Sequence, residues 1–186
     1  MARSRSTDRR RRPKSKLNEA LKRLRLFATD VDGVLTDAGM YYSESGDEWK
    51  KFNTRDGMGI KLLQKAGLIT ALVTQEHTKL VARRGEKLAI PEVHQGAFDK
   101  LTVLKEMAER HGFMLQEVAY IGDDVNDLAA LKAVGFSAAP ADALPPVRQV
   151  VDYVCRKKGG EGAVREVADL ILEAKGSRYE VRSWRI

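Results

Sequence analysis

The side chains best able to do chemistry in this sequence are acids that stand directly after apolar runs. Asp30 and Asp32 follow Leu26-Phe27-Ala28-Thr29, Thr74 follows Leu68 to Val73, and Asp123, Asp124 and Asp127 follow Val118-Ala119-Tyr120-Ile121. Residues i and i+2 at a strand end point to the same side, so Asp30 and Asp32 can face one substrate. One carboxylate can attack phosphorus while the other moves a proton to the leaving oxygen. Gly33 lets the chain turn away. Asp-x-Asp by itself often only caps a turn; a second strand ending in Gly122-Asp123-Asp124-x-x-Asp127 makes the catalytic reading the stronger one. Carboxylates gathered in one place repel one another and titrate high unless a cation joins them. With oxygen donors alone and no Cys/His cluster, Mg²⁺ suits the set better than zinc.

These acids need a sheet to bring them together. The apolar runs at 26–29, 68–73, 92–94, 118–121 and 136–139 read as strands. Helical patterns follow Asp56 and fill 80–88, a segment capped by Asp99, 128–134 and 163–174. Strands separated by helices pair in parallel through right-handed crossovers, and ligand sites in such sheets form beyond the carboxyl ends of the strands. Met40-Tyr41-Tyr42 and Glu48 to Phe52 flank Ser43-Glu44-Ser45-Gly46-Asp47, the pattern of a β-hairpin. The expected fold is α/β: a doubly wound, mainly parallel, Rossmann-like sheet with a β-hairpin insertion after the first strand and no large cap domain.

At 186 residues and 43% hydrophobic content, the chain fits one compact domain. Its formal charge of +7 is unevenly placed. Residues 1–25 hold 11 of the 33 Lys+Arg and only two acids, so the remainder carries 22 basic against 24 acidic residues, a net of −2. The division expected is a basic, disordered tail over 1–22 and a domain over 23–186. The Arg-rich stretch reads as a solvated extension before it reads as an RNA contact. No apolar segment follows it as a secretory signal requires, and no run is long enough to span a bilayer. A single cysteine, Cys155, forms no intrachain disulfide and fits a reducing, cytoplasmic setting.

Four segments, in order, resemble the motifs of the haloacid dehalogenase superfamily of phosphatases: Asp30-Val31-Asp32-Gly33-Val34-Leu35-Thr36, Thr74, Lys100, and Gly122-Asp123-Asp124-Val125-Asn126-Asp127. Together with Trp49 to Thr54, Asp56-Gly57, Arg84 and Gly159 to Glu166, they are similar to the capless branch acting on 2-keto-3-deoxy sugar-acid phosphates. The resemblance implies Asp30 as nucleophile, Asp32 as general acid/base, and Thr74 and Lys100 as phosphoryl-holding groups. It implies Mg²⁺ on Asp30, Asp123 and the Asp32 carbonyl, with Thr36, Asp56, Glu76, Arg84, Asp124 and Asp127 around the substrate. It also implies a homotetramer. The eight-carbon-acid enzymes carry Gly-Arg after the Ser/Thr of the second motif, where this sequence has Gln75-Glu76; an acid there resembles the nine-carbon-acid enzymes.

Other residues take plainer readings: His77 as a solvated helix-start side chain, His94 and His111 as structural, Gly159-Gly160 as a joint. Two other functions compete. One is a regulatory or binding domain that kept the fold and lost turnover, against which the retained Asp30/Asp32 pair argues. The other is an RNA-associated protein acting through its tail, which leaves the aspartates unexplained.

Overall fold

A computed structural model describes residues 13–177. Its centre is a parallel sheet of six strands: β1 (Leu26–Thr29), β4 (Ile69–Val73), β5 (Glu92–His94), β6 (Val118–Ile121), β7 (Phe136–Ala139) and β8 (Tyr153–Val154). The remaining strands, β2 (Tyr41–Tyr42) and β3 (Glu48–Trp49), pair antiparallel as a hairpin. The order across the main sheet is β5-β4-β1-β6-β7-β8. From β1 the chain builds outward through β4 and β5, then returns across β1 to add β6. Crossovers therefore leave β1 in opposite directions, which opens a crevice at its carboxyl end.

Alternation along the strands assigns their side chains to two layers. Phe27, Leu72, Ala119 and Ile121 face one side; Leu26, Ala28, Ala71, Val73 and Val118 face the other. The first face is covered by α1 (Lys14–Arg23), α2 (Thr54–Lys65), α3 (Lys79–Lys87) and α7 (Ala163–Ala174), through Leu21, Ile60, Leu63, Val81, Val167 and Ile171. The second face packs on α4 (Lys100–Arg110), α5 (Leu128–Ala133) and α6 (Pro145–Val150), through Leu104, Met107, Leu131 and Val147. Phe27 is fully enclosed at the centre of the first layer; truncating such a residue to alanine costs about 3–5 kcal/mol.

The doubly wound sheet and hairpin expected from the sequence are present. The boundary of the tail differs. Lys14–Arg23 is helical and buries Leu21, with Leu17 packed against the same core, so the fold begins well before residue 23. Leucines at 17, 21 and 24 supply one apolar stripe, enough for docking beneath a lysine- and arginine-rich outer face. The rest of the basic tail, residues 1–12, lies outside the described residues. Helix α6 and strand β8 also go beyond the sequence reading. Among the described residues, no helix is long and apolar enough to cross a membrane.

Candidate active site

The carboxyl ends of β1, β4 and β6 open into one cavity of about 530 Å³. Asp30 and Thr74 are aimed by backbone bonds that continue their strands. The Asp30 amide continues the ladder, donating to the Ile121 carbonyl at 2.9 Å, and the Thr74 amide donates to His94 at 2.9 Å. Asp30, Asp32, Thr74, Glu76, Lys100, Asp123 and Asp124 all line the cavity, joined by Gln75, Asn126, Ala38 and Phe98.

Beneath it lies a buried charge cluster. The Lys100 ammonium, on the first residue of α4 behind the Asp99 cap, donates to Asp30 Oδ2 and to Asp127 Oδ1, each at 2.7 Å. Asp127 is held from every side: Tyr120 donates its hydroxyl to Oδ1 at 2.6 Å, and the amides of Asp123 and Asp124 donate to Oδ2 at 3.0 and 3.2 Å. Asp127 is thus a fully buried anchor for Lys100 and does not line the cavity. Gly33, at φ +78°, makes room for the cluster; a Cβ there would lie 2.0 Å from Asp123 Oδ2. Gly159 packs against the same loop, where a Cβ would meet the Gly33 carbonyl at 2.0 Å. The glycine pair read as a joint is a close backbone contact beneath the site.

Acids outnumber cations here, and titration follows. Burial, then the charge of Asp127, pushes Asp30 up to about 7 against the pull of Lys100. Burial, then Asp30, Asp127 and Asp124, pushes Asp123 up to about 8. Burial alone would lower Lys100, but Asp30 and Asp127 outweigh it and hold the ammonium above its ordinary value. Ligand oxygens of Asp30, Asp123 and Asp127 all lie within 4.8 Å of one another, and Asp123 Oδ1 is buried without a hydrogen-bond partner. An unpartnered buried carboxylate oxygen among mutually repelling acids is what a hard cation satisfies, so the residues fit Mg²⁺. Because Asp127 already spends both oxygens, Asp30 and Asp123 are the better donors.

The remaining residues fall elsewhere. Thr36 is buried and donates to Asp32 Oδ1 at 3.3 Å, so it braces an acid and makes no cavity wall. Asp56 and Arg84 lie away from the cavity. Asp56 accepts from the amides of Gly162 and Arg165 at 3.2 and 2.8 Å, tying α2 to the start of α7. Arg84 donates to the Asn53 carbonyl at 3.0 Å and lies over the Phe52 ring. Within the chain both make structural contacts. Sequence reasoning missed Lys50, whose enclosed ammonium bonds Asp32 Oδ1 at 2.7 Å and also bonds Glu76. These contacts span 18 and 26 residues, and no local pattern announces them.

The geometry defines a hydrolase of the haloacid dehalogenase type, and comparison with known proteins agrees. The family model for haloacid dehalogenase-like hydrolases matches residues 75–167. The Escherichia coli K12 3-deoxy-D-manno-octulosonate 8-phosphate phosphatase KdsC is 42% identical over 159 residues, 86% of this chain and 85% of that protein. The Moraxella catarrhalis 3-deoxy-D-manno-octulosonate 8-phosphate phosphatase, solved with magnesium, phosphate and the sugar acid, superposes with a TM-score of 0.85. It is 40% identical, over 87% of this chain and 93% of that one. The cobalt-bound deoxy-D-mannose-octulosonate 8-phosphate phosphatase from Haemophilus influenzae gives a TM-score of 0.81 at 39% identity, over 84% and 92% of the two chains. The chain belongs to the haloacid dehalogenase-like hydrolases, and within them it is a phosphatase.

Proposed function

We propose that this enzyme hydrolyses the phosphate monoester of a 2-keto-3-deoxy sugar acid, with 3-deoxy-D-manno-octulosonate 8-phosphate as the first candidate, by way of an aspartyl phosphate on Asp30. The observation that carries the reading is Asp30 itself: a cavity-lining carboxylate at a strand end, bonded to a buried lysine and beside the unpartnered Asp123 oxygen. The Escherichia coli relative, 42% identical over most of both chains, supports the eight-carbon substrate.

Asp30 forms a bond to phosphorus as the ester P–O bond breaks, and Asp32 gives its proton to the departing sugar oxygen. Water then attacks the aspartyl phosphate, its proton returns to Asp32, and orthophosphate leaves with Asp30 restored. Lys100 has one N–H left for a phosphoryl oxygen, since two are spent on Asp30 and Asp127. Thr74 holds the same group from the end of β4. Asp30, Asp123 and the Asp32 carbonyl would hold Mg²⁺, which supplies positive charge against the phosphoryl oxygens.

Glu76 favours a second reading, a nine-carbon acid, because a carboxylate on the wall suits sugar hydroxyls or an amine and repels a substrate carboxylate. Lys50 weakens that repulsion by pairing with Glu76, so the eight-carbon acid stands first. Phosphate release over eight- and nine-carbon 2-keto-3-deoxy acid phosphates tests both; failure to turn over either refutes the substrate class. We further infer assembly through the hairpin: Met40, Tyr41, Tyr42 and Trp49 are all exposed, more apolar area than a two-stranded ribbon buries alone. The homotetramer implied by the family resemblance would cover it.

A further inference from the structure

We propose that the side-chain amides of Gln75 and Asn126 form an uncharged receptor for the carboxylate of the sugar-acid substrate. The inference rests on the substrate class proposed above and adds the residues that read its acid group. Gln75 stands in the loop after β4, next to Thr74, and Asn126 in the turn after β6. Strands β4 and β6 are the two neighbours of β1 in the sheet. The Asn126 amide donates to Gln75 Oε1 at 3.2 Å, between residues 51 apart in sequence. This bond joins the two loops that flank Asp30, and both side chains line the cavity.

A 2-keto-3-deoxy sugar-acid phosphate has an anion at each end. Its phosphoryl end meets Lys100 and Thr74. For the carboxylate the wall offers few donors. Asp30, Asp32, Glu76, Asp123 and Asp124 all line the cavity, and among the described residues lining it Lys100 is the only cation. Lys100 already donates to Asp30 and Asp127. The Lys50 ammonium is enclosed and shared between Asp32 and Glu76, and it does not line the cavity. The two amides remain. Between them they carry four amide hydrogens, and their mutual bond spends one, leaving three for a ligand. That bond also sets direction, because turning Gln75 Oε1 toward Asn126 turns its nitrogen away. A carboxylate only accepts, and N–H groups bond an ionised acceptor more strongly than a neutral one. An uncharged receptor supplies these donors without neutralising the acids that suit a metal.

Both side chains are exposed, so substitutions there leave the core intact. The test measures kcat/KM for 3-deoxy-D-manno-octulosonate 8-phosphate and for its C1 amide, which keeps sugar and phosphate but lacks the carboxylate charge. The acid-to-amide ratio cancels any loss common to both compounds. Gln75→Ala and Asn126→Ala should each lower that ratio roughly tenfold, the worth of a hydrogen bond to a charged group, chiefly through KM. Gln75→Glu sets a negative charge in the same place and should lower it further, whereas Gln75→Lys should raise it. A clasp that only held two loops together would not separate the acid from the amide. If the ratio in Gln75→Ala and Asn126→Ala stays at the parent value, the pair does not read the carboxylate and the inference is overturned. If the parent protein releases phosphate from p-nitrophenyl phosphate but from neither sugar compound, the substrate class fails first, and this inference falls with it.

Discussion

Two charged clusters in this fold are built on opposite terms. At the carboxyl ends of β1 and β6, Asp30 and Asp127 share one buried cation, Lys100, with Asp123 beside them, and Asp30 and Asp123 titrate near neutrality. At the edge strand β5, a single acid, Glu92, accepts from His94, Arg110 and His111 at 2.7–2.9 Å. Burial there would raise Glu92, but hydrogen bonds from His111 and His94 and the charge of Arg110 draw it below its ordinary value. The edge cluster is satisfied by its own neighbours; the central one is left short of positive charge. A deficit that the fold does not fill is room for a cation and a phosphoryl group, and it marks the functional cluster.

Breaking the central cluster should produce the largest effects. Asp30→Asn keeps the shape and removes the attacking carboxylate, so kcat should fall by about three orders of magnitude or more while substrate still binds. Steady-state kinetics with equilibrium binding of the substrate checks this. The hairpin comes next. Tyr42 is 67% exposed and Trp49 54%; replacing both with serine should dissociate the proposed assembly and lower kcat/KM together, read by sedimentation and kinetics on the same samples. A fully active monomer of the parent protein would remove the hairpin from the account.

Metal and pH sharpen the contrast further. In the folded, metal-free protein Asp30 and Asp123 hold protons to about 7 and 8, whereas an unfolded chain releases them near the ordinary 3.8. The folded state binds more protons across that window, so metal-free stability falls as pH rises through it. Mg²⁺ needs both groups ionised. The rise in Tm on adding Mg²⁺ should therefore be larger at about pH 8.5 than at about pH 6, and EDTA should abolish activity. The smallest effect belongs to the edge. Glu92→Gln should cost roughly 1–2 kcal/mol in urea unfolding at neutral pH, with kcat near that of the parent protein.

Much of this was legible in the sequence because strand ends are local. An apolar run that stops at Asp30, Thr74 or Asp123 states both the strand and the direction its polar side chain faces. The Asp99 cap placed Lys100 at a helix start in the same way. Contacts between distant segments were not legible. Asp56 and Arg84 carry charges typical of a binding wall, yet backbone amides of α7 take one and the Asn53 carbonyl the other. Lys50 looks like one of two adjacent surface lysines, and only folding brings it under Asp32 and Glu76. Helix α6 opens on Pro145-Pro146, residues that read as breakers although they fit a first helical turn. The basic character of α1 hid its leucine stripe.

The central claim is that Asp30 becomes phosphorylated. Acid-quenching the enzyme during turnover and weighing the peptide that contains Asp30 tests it directly. The account predicts one added phosphoryl group on Asp30, lost in Asp30→Asn; a phosphoryl group on any other residue would contradict it.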